Sequence, residues 1–223
     1  MTTLPASDHL VPTRRSLHRA AEHLLAAARK RATGEISLVP APGGVATPPL
    51  GDGSVVAIEG ADVVVRRPEG VRRAALTTLA ETAAAVGIEP GFPWTKHRPG
   101  TEYEPDAALP VDPAAAAALA AWFALGEDAL TTLVAEVPAE EPSAPQIFPE
   151  HFDLGVTAGA VNYGFSPGDD AIVTPYVYVG PHDVPSRTGF WNAPFGAYRT
   201  WQEVTTPQAA LDFFHDARSV LGL

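Results

Sequence analysis

The 223-residue chain contains no cysteine. That absence removes disulfides, thiolate nucleophiles and thiolate-bound zinc together, so any metal must be held by His, Asp or Glu. A chain without cysteine fits a reducing cytoplasm, which is the expected location. Positive charge is also scarce: 15 Lys and Arg stand against 26 Asp and Glu, giving a net charge of −11, and the lysines number only two, Lys30 and Lys96. The deficit is uneven. Residues 1–100 hold 12 basic and 9 acidic side chains, whereas residues 101–223 hold 3 and 17. An acidic second half repels phosphate backbones, so no nucleic-acid partner is expected, and attraction between the halves is the plainer account of the asymmetry. No unbroken run approaches the roughly 18 apolar residues of a membrane span, and Met1 to Arg15 has no apolar core of the signal-peptide kind, so no membrane partner is expected.

What is present is a mixed helix and strand pattern. A first helix is expected from Thr13 or Ser16, with Leu17, Ala20, Ala21, Leu24, Leu25 and Ala28 on one apolar stripe, ending at Gly34. Short β-type runs follow at 36–39, 55–58 and 63–65, and then a helix over about 72–86 that closes at Gly87. The segment 89–111 is rich in Pro, Gly and charge, with Trp94, His97 and Tyr103 scattered through it, and reads as a connector. Asp112-Pro113 is a strong helix start for an Ala-rich helix reaching Glu136. Strands are expected at 152–157, 161–165 and 173–179, with another near 190–198, before Thr206-Pro207 caps a final helix.

This pattern predicts an α+β fold of two similar halves, each helix, antiparallel sheet, helix. The divisions fall at 1–88, 89–111 and 112–223. Leu38 to Asp52 and Leu154 to Asp169 share small residues, a Gly-x-Val and a terminal Gly-Asp, which suggests an internal duplication with pseudo-twofold packing. The helix text Leu17 to Ala26, then Pro149-Glu-His-Phe-Asp153, Asn162-Tyr-Gly-Phe-Ser-Pro-Gly-Asp169, Tyr176 to Pro181 and Phe190-Trp-Asn192, resembles an uncharacterised family of actinobacterial proteins. The Phe152-Asp153-Leu154 strand and the element order are more distantly similar to a second actinobacterial family. Neither resemblance implies an activity.

Chemistry concentrates in Phe148 to Trp201, which carries eleven of the eighteen aromatic residues. His151 and Asp153 are two apart, and on a strand alternate side chains share a face, so the pair suits part of a 2-His-1-carboxylate site for a single divalent metal. Structural hydrogen bonding by the same residues is the ordinary alternative, and on that reading no cofactor is expected. Glu150, His151, Asp153 and His23 are the candidate catalytic groups, and His23 meeting His151 would strengthen an acid/base or metal reading. Asn162, Tyr163, Tyr176, Tyr178, Trp191 and Asn192 are the candidate wall of a pocket for a small organic ligand, because amides and phenols orient a molecule among apolar rings. The alternatives are aromatic packing in a sheet core, or an interface in an assembly such as a homodimer. No Gly-x-Ser-x-Gly elbow and no phosphate loop is present.

Overall fold

The computed structural model describes residues 7–91, 99–187 and 189–223. It is an α+β protein with two five-stranded antiparallel sheets. Along the chain the elements are α1 (Ser7–Ala20), a π-helical turn (Ala21–Ala26), α2 (Ala27–Thr33), β1 (Val39–Ala41), β2 (Gly44–Ala46), β3 (Val55–Glu59), β4 (Asp62–Arg67), β5 (Gly70–Ala75) and α3 (Leu79–Val86). There follow α4 (Pro113–Glu136), β6 (Gln146–Phe148), β7 (Asp153–Ala158), β8 (Val161–Ser166), β9 (Tyr176–Pro181), β10 (Ala197–Thr200) and α5 (Pro207–Leu221). The order helix, five strands, helix therefore occurs twice. The sheets run β1-β2-β3-β4-β5 and β10-β9-β8-β7-β6.

The chain forms two compact units. One holds the described residues up to Ala121 together with Ile147–Phe152, and the other holds the described residues of Trp122–Gln146 and Asp153–Leu223. In the first, Val56 to Ile58 and Val63 to Val65 are all buried, so the centre of the sheet is covered on both faces. Leu38 exchanges two backbone hydrogen bonds with Ile147, 2.9 and 2.7 Å, which ties the 147–152 segment to this unit.

Two expectations need correction. The first helix starts at Ser7, ahead of Thr13, and accommodates Pro12 within it. Residues 72–75, read as helix, are strand: Val71 to Ala74 pair with Val63 to Arg66, and α3 begins only after Thr78. The cap explains the boundary. The Thr78 hydroxyl accepts the Glu81 N–H at 3.1 Å while the Thr77 hydroxyl donates to the Glu81 carboxylate at 2.8 Å. By length and composition only, α4 is apolar enough to cross a membrane, with 44% of its most apolar window buried, while its longest unbroken apolar run, 114–125, stays short of the roughly 18 residues of a span.

The second unit is organised by strand alternation. Leu154, Val156, Tyr163, Phe165, Val177 and Val179 share one face and are buried. Two helices supply their partners. On α4, Trp122 meets Phe165 edge-on at 5.1 Å and donates its indole N–H to the Ser166 carbonyl at 2.9 Å. Gly126 is required there, since a Cβ would come within 2.7 Å of the Phe165 ring. On α5, Ala210, Leu211, Phe213, Phe214 and Ala217 are buried at helical spacing, and Phe214 lies 5.3 Å from Tyr163.

Candidate functional site

The opposite face of the second sheet carries a different chemistry. The registers Gly155↔Gly164, Asn162↔Gly180, Gly164↔Tyr178, Ser166↔Tyr176 and Tyr198↔Tyr178 place these residues on one side, with Asp153 and Thr157 continuing the row on β7. Glycines at 155, 164 and 180 leave the floor low. Tyr178 uses that space: a Cβ at Gly164 would stand 2.5 Å from its ring end. Its hydroxyl donates to the Asp153 carboxylate. Tyr176, 6.2 Å away between ring centroids, donates to Asp169 at 2.7 Å. The other oxygen of Asp169 accepts the N–H groups of Ala171 and Ile172 at 2.6 and 2.7 Å, closing the turn after β8. Phe195 stacks on Tyr176 at 6.2 Å, and Tyr198 meets Tyr176 edge-on at 5.7 Å. Burial and the adjacent carboxylates push both phenols up, Tyr178 well above its ordinary range. These hydroxyls are neutral donors at all ordinary pH values.

The structure brings only part of the expected wall together. Tyr176, Tyr178 and Asn162 share the face, with the Asn162 side-chain oxygen accepting the Thr157 hydroxyl at 2.7 Å. Tyr163 lies on the opposite face, fully buried, with Arg218 donating to its hydroxyl at 3.4 Å. Trp191 is buried edge-on against Phe190, which stacks on Phe213 of α5. Asn192 is exposed and acts on the backbone: its amide donates to the Tyr198 carbonyl at 3.1 Å and accepts the Tyr198 N–H at 2.9 Å. It thereby clamps the loop that presents Phe195. Asp169 and Phe195 were not among the expected wall residues: Asp169 reads in the sequence as a turn residue bonding back to the main chain, which it is, and its spacing from Tyr176 gave no strand alternation to follow.

The His-x-Asp expectation fails on its premise. β7 begins at Asp153, and His151 stands before it, exposed, in a turn where Phe152 has φ 55°. The two residues are therefore not alternate positions of one strand. Among the described residues no three His, Asp or Glu side chains converge as a metal site. Trp94 and His97 lie outside the described residues.

A second polar cluster lies in the first unit, on the π-helical turn. The Ala27 N–H reaches back to the Glu22 carbonyl, five residues away, and passes over His23. The freed His23 carbonyl accepts the Gly91 N–H at 2.8 Å. Glu22 is completely buried, and its carboxylate accepts the N–H groups of Gly100 and Thr101 at 2.7 and 2.8 Å as well as the Thr101 hydroxyl. Burial pushes its carboxyl up, against those hydrogen bonds, and Glu150 adds to the rise. His23, also buried, has Nε2 3.2 Å from the Thr101 hydroxyl oxygen and 3.3 Å from the Thr101 carbonyl. The hydroxyl proton is committed to Glu22, so this geometry assigns the imidazole proton to Nε2, as a donor. The Nδ1 lone pair has no partner among the described residues.

His23 was the histidine expected to meet His151, but His18 occupies that place. Its Nε2 donates to the Pro149 carbonyl at 2.8 Å, its ring stacks on Phe152 at 5.4 Å, and the nearby His151 helps to lower its pKa. Burial is the largest cause of that lowering, to about 4. Helix spacing accounts for the arrangement: His18 and Glu22 are four residues apart, 3.9 Å between their polar atoms. Together they hold the 99–101 and 149–152 segments against the helix. Comparisons with protein-family models, with curated proteins and with solved structures give no match for this chain.

Proposed function

We propose that the protein binds a small organic ligand against the aromatic face of β8, β9 and β10. The observation that carries this reading is the paired arrangement of Tyr176 and Tyr178, each hydroxyl held by a carboxylate, above a row of glycines. Aromatic faces and carboxylate oxygens attract positive charge and hydrogen-bond donors, and the net charge of −11 acts in the same direction. The ligand is accordingly a molecule bearing a donor group or a cationic nitrogen. Asn162 offers an amide beside the rings, while Asn192 acts by positioning Phe195 and Tyr198. A thermal-shift screen of amines, amino alcohols and neutral polyols against the wild type and Tyr178→Phe tests the reading. A binder should raise the midpoint of the wild type by an amount set by its concentration over its Kd, and raise the variant less. A hit that stabilises both proteins equally would remove the site from this face. The repeated element order supports an internal duplication as the origin of the two sheets.

A further inference from the structure

The β4–β5 hairpin carries four arginines, and the pleat sorts them into two pairs. Asp62, Val64 and Arg66 share a face with Val71, Arg73 and Ala75, whereas Val63, Val65 and Arg67 share the other with Gly70, Arg72 and Ala74. The first pair is neutralised locally. Arg66 and Arg73 both bind the Glu59 carboxylate, and Arg73 also binds Asp62 at 2.9 Å. On the second face, Arg67 and Arg72 form no ion pair among the described residues. Arg67 donates to the Gly87 and Val86 carbonyls at 2.8 and 3.4 Å, the exposed end of α3, which fixes its guanidinium. Arg72 lies against Gly87, where a Cβ would come within 2.6 Å of its Nη1. These residues line a groove of about 420 Å³ with Glu69, Gly70 and Val71, the last of which belongs by register to the face of Arg66 and Arg73.

Two like charges on one wall repel unless an anion joins them. Glu69 supplies one negative charge in the groove. Asp52, whose carboxyl is held low chiefly by hydrogen bonds from Ser54 and least by Arg67, forms no ion pair with that arginine. We propose that this groove is a second binding site, for a phosphate monoester. Its phosphoryl group accepts donors from Arg72 and from the remaining N–H groups of Arg67, and its organic part lies along the aliphatic stem of Arg72 beside Gly70 and Gly87. Guanidinium forks match phosphate oxygens in geometry, and the volume falls within the range of about 300–1,000 Å³ typical of small-molecule sites.

The test is calorimetric titration of the whole protein with phenyl phosphate at fixed ionic strength, alongside Arg72→Ala and Arg73→Ala. Both variants lose one positive charge from the same strand, but only Arg72 faces the groove. Loss of a charge-assisted contact should weaken binding about tenfold or more in Arg72→Ala and leave Arg73→Ala near the wild type. Amide NMR shifts on titration should concentrate at Gly70–Arg72 and Gly87. No heat at millimolar ligand, equal weakening in both variants, or shifts elsewhere in the chain would each overturn the proposal. Circular dichroism of the two variants confirms that they are folded before the comparison is made.

Discussion

Tyr178 is the residue on which the aromatic face turns, because its hydroxyl satisfies Asp153 and its ring covers Gly164. Tyr178→Phe removes the donor and leaves the carboxylate oxygen it served inside the protein. The expected cost is about 1–3 kcal/mol, read as a lower midpoint in urea unfolding. An unchanged midpoint would mean that water replaces the hydroxyl freely. Gly164→Ala attacks the same contact from below: the methyl and the Tyr178 ring end cannot both keep their places. It should destabilise by a similar amount, and in the Tyr178→Phe background its further cost should shrink, a non-additivity that a double-mutant cycle measures. His18 gives a pH prediction with a definite sign. Its folded pKa is lowered from 6.5 to about 4, so the unfolded chain takes up the proton first. Its contribution is complete above pH 6.5 and is lost as the pH falls towards 4, by at most about 3 kcal/mol. Glu22, raised, works the other way, adding stability at low pH that disappears as the pH rises through its folded value. The stability difference between the wild type and His18→Gln should therefore narrow between pH 6.5 and 4. A difference that stays constant with pH would show that His18 is not buried neutral.

At the scale of elements, legibility followed capping chemistry. Asp112-Pro113 and Thr206-Pro207 announced α4 and α5 because an N-cap acceptor before a proline is a local signal, and both caps form: Asp112 accepts the Ala115 N–H at 2.8 Å and Thr206 that of Ala209 at 3.2 Å. Thr78→Ala should cost about 1 kcal/mol by removing the equivalent bond from α3, with the loss seen in hydrogen exchange of the α3 amides; exchange as slow as in the wild type would mean that packing alone holds the helix. The 70–75 strand was misread because Arg72, Arg73, Ala74 and Ala75 favour helix, and the preference was overridden by pairing with β4 along the whole of its length. The π-helical turn had no signature in the residues. Its cause is a partner 68 residues away in sequence, the Gly91 N–H that takes the His23 carbonyl. The candidate face was half legible: alternation correctly joined Tyr176 to Tyr178, but whether Tyr163 joined them depended on the β8–β9 register, which no sequence rule supplied.

At the scale of the whole molecule, charge decides the expected response to salt. Seventeen acidic side chains against three basic ones in residues 101–223 repel one another at low ionic strength. The exposed ion pairs that salt would weaken, such as those joining Arg66 and Arg73 to Glu59, are worth about 0–1 kcal/mol each. Repulsion outweighs them, because it sums over many pairs within a screening length of about 30 Å at 0.01 M and only about 10 Å at 0.1 M. The thermal midpoint should rise by a few degrees as sodium chloride is added over that range, since about 1 kcal/mol moves a chain of this length by roughly 2–4 °C. Asp183→Asn and Asp216→Asn, both at exposed positions, should raise the midpoint at low salt and reduce the gain on adding salt. A midpoint that falls with salt would reverse the assignment, placing net attraction between the basic and acidic parts of the chain above the self-repulsion of its acidic half.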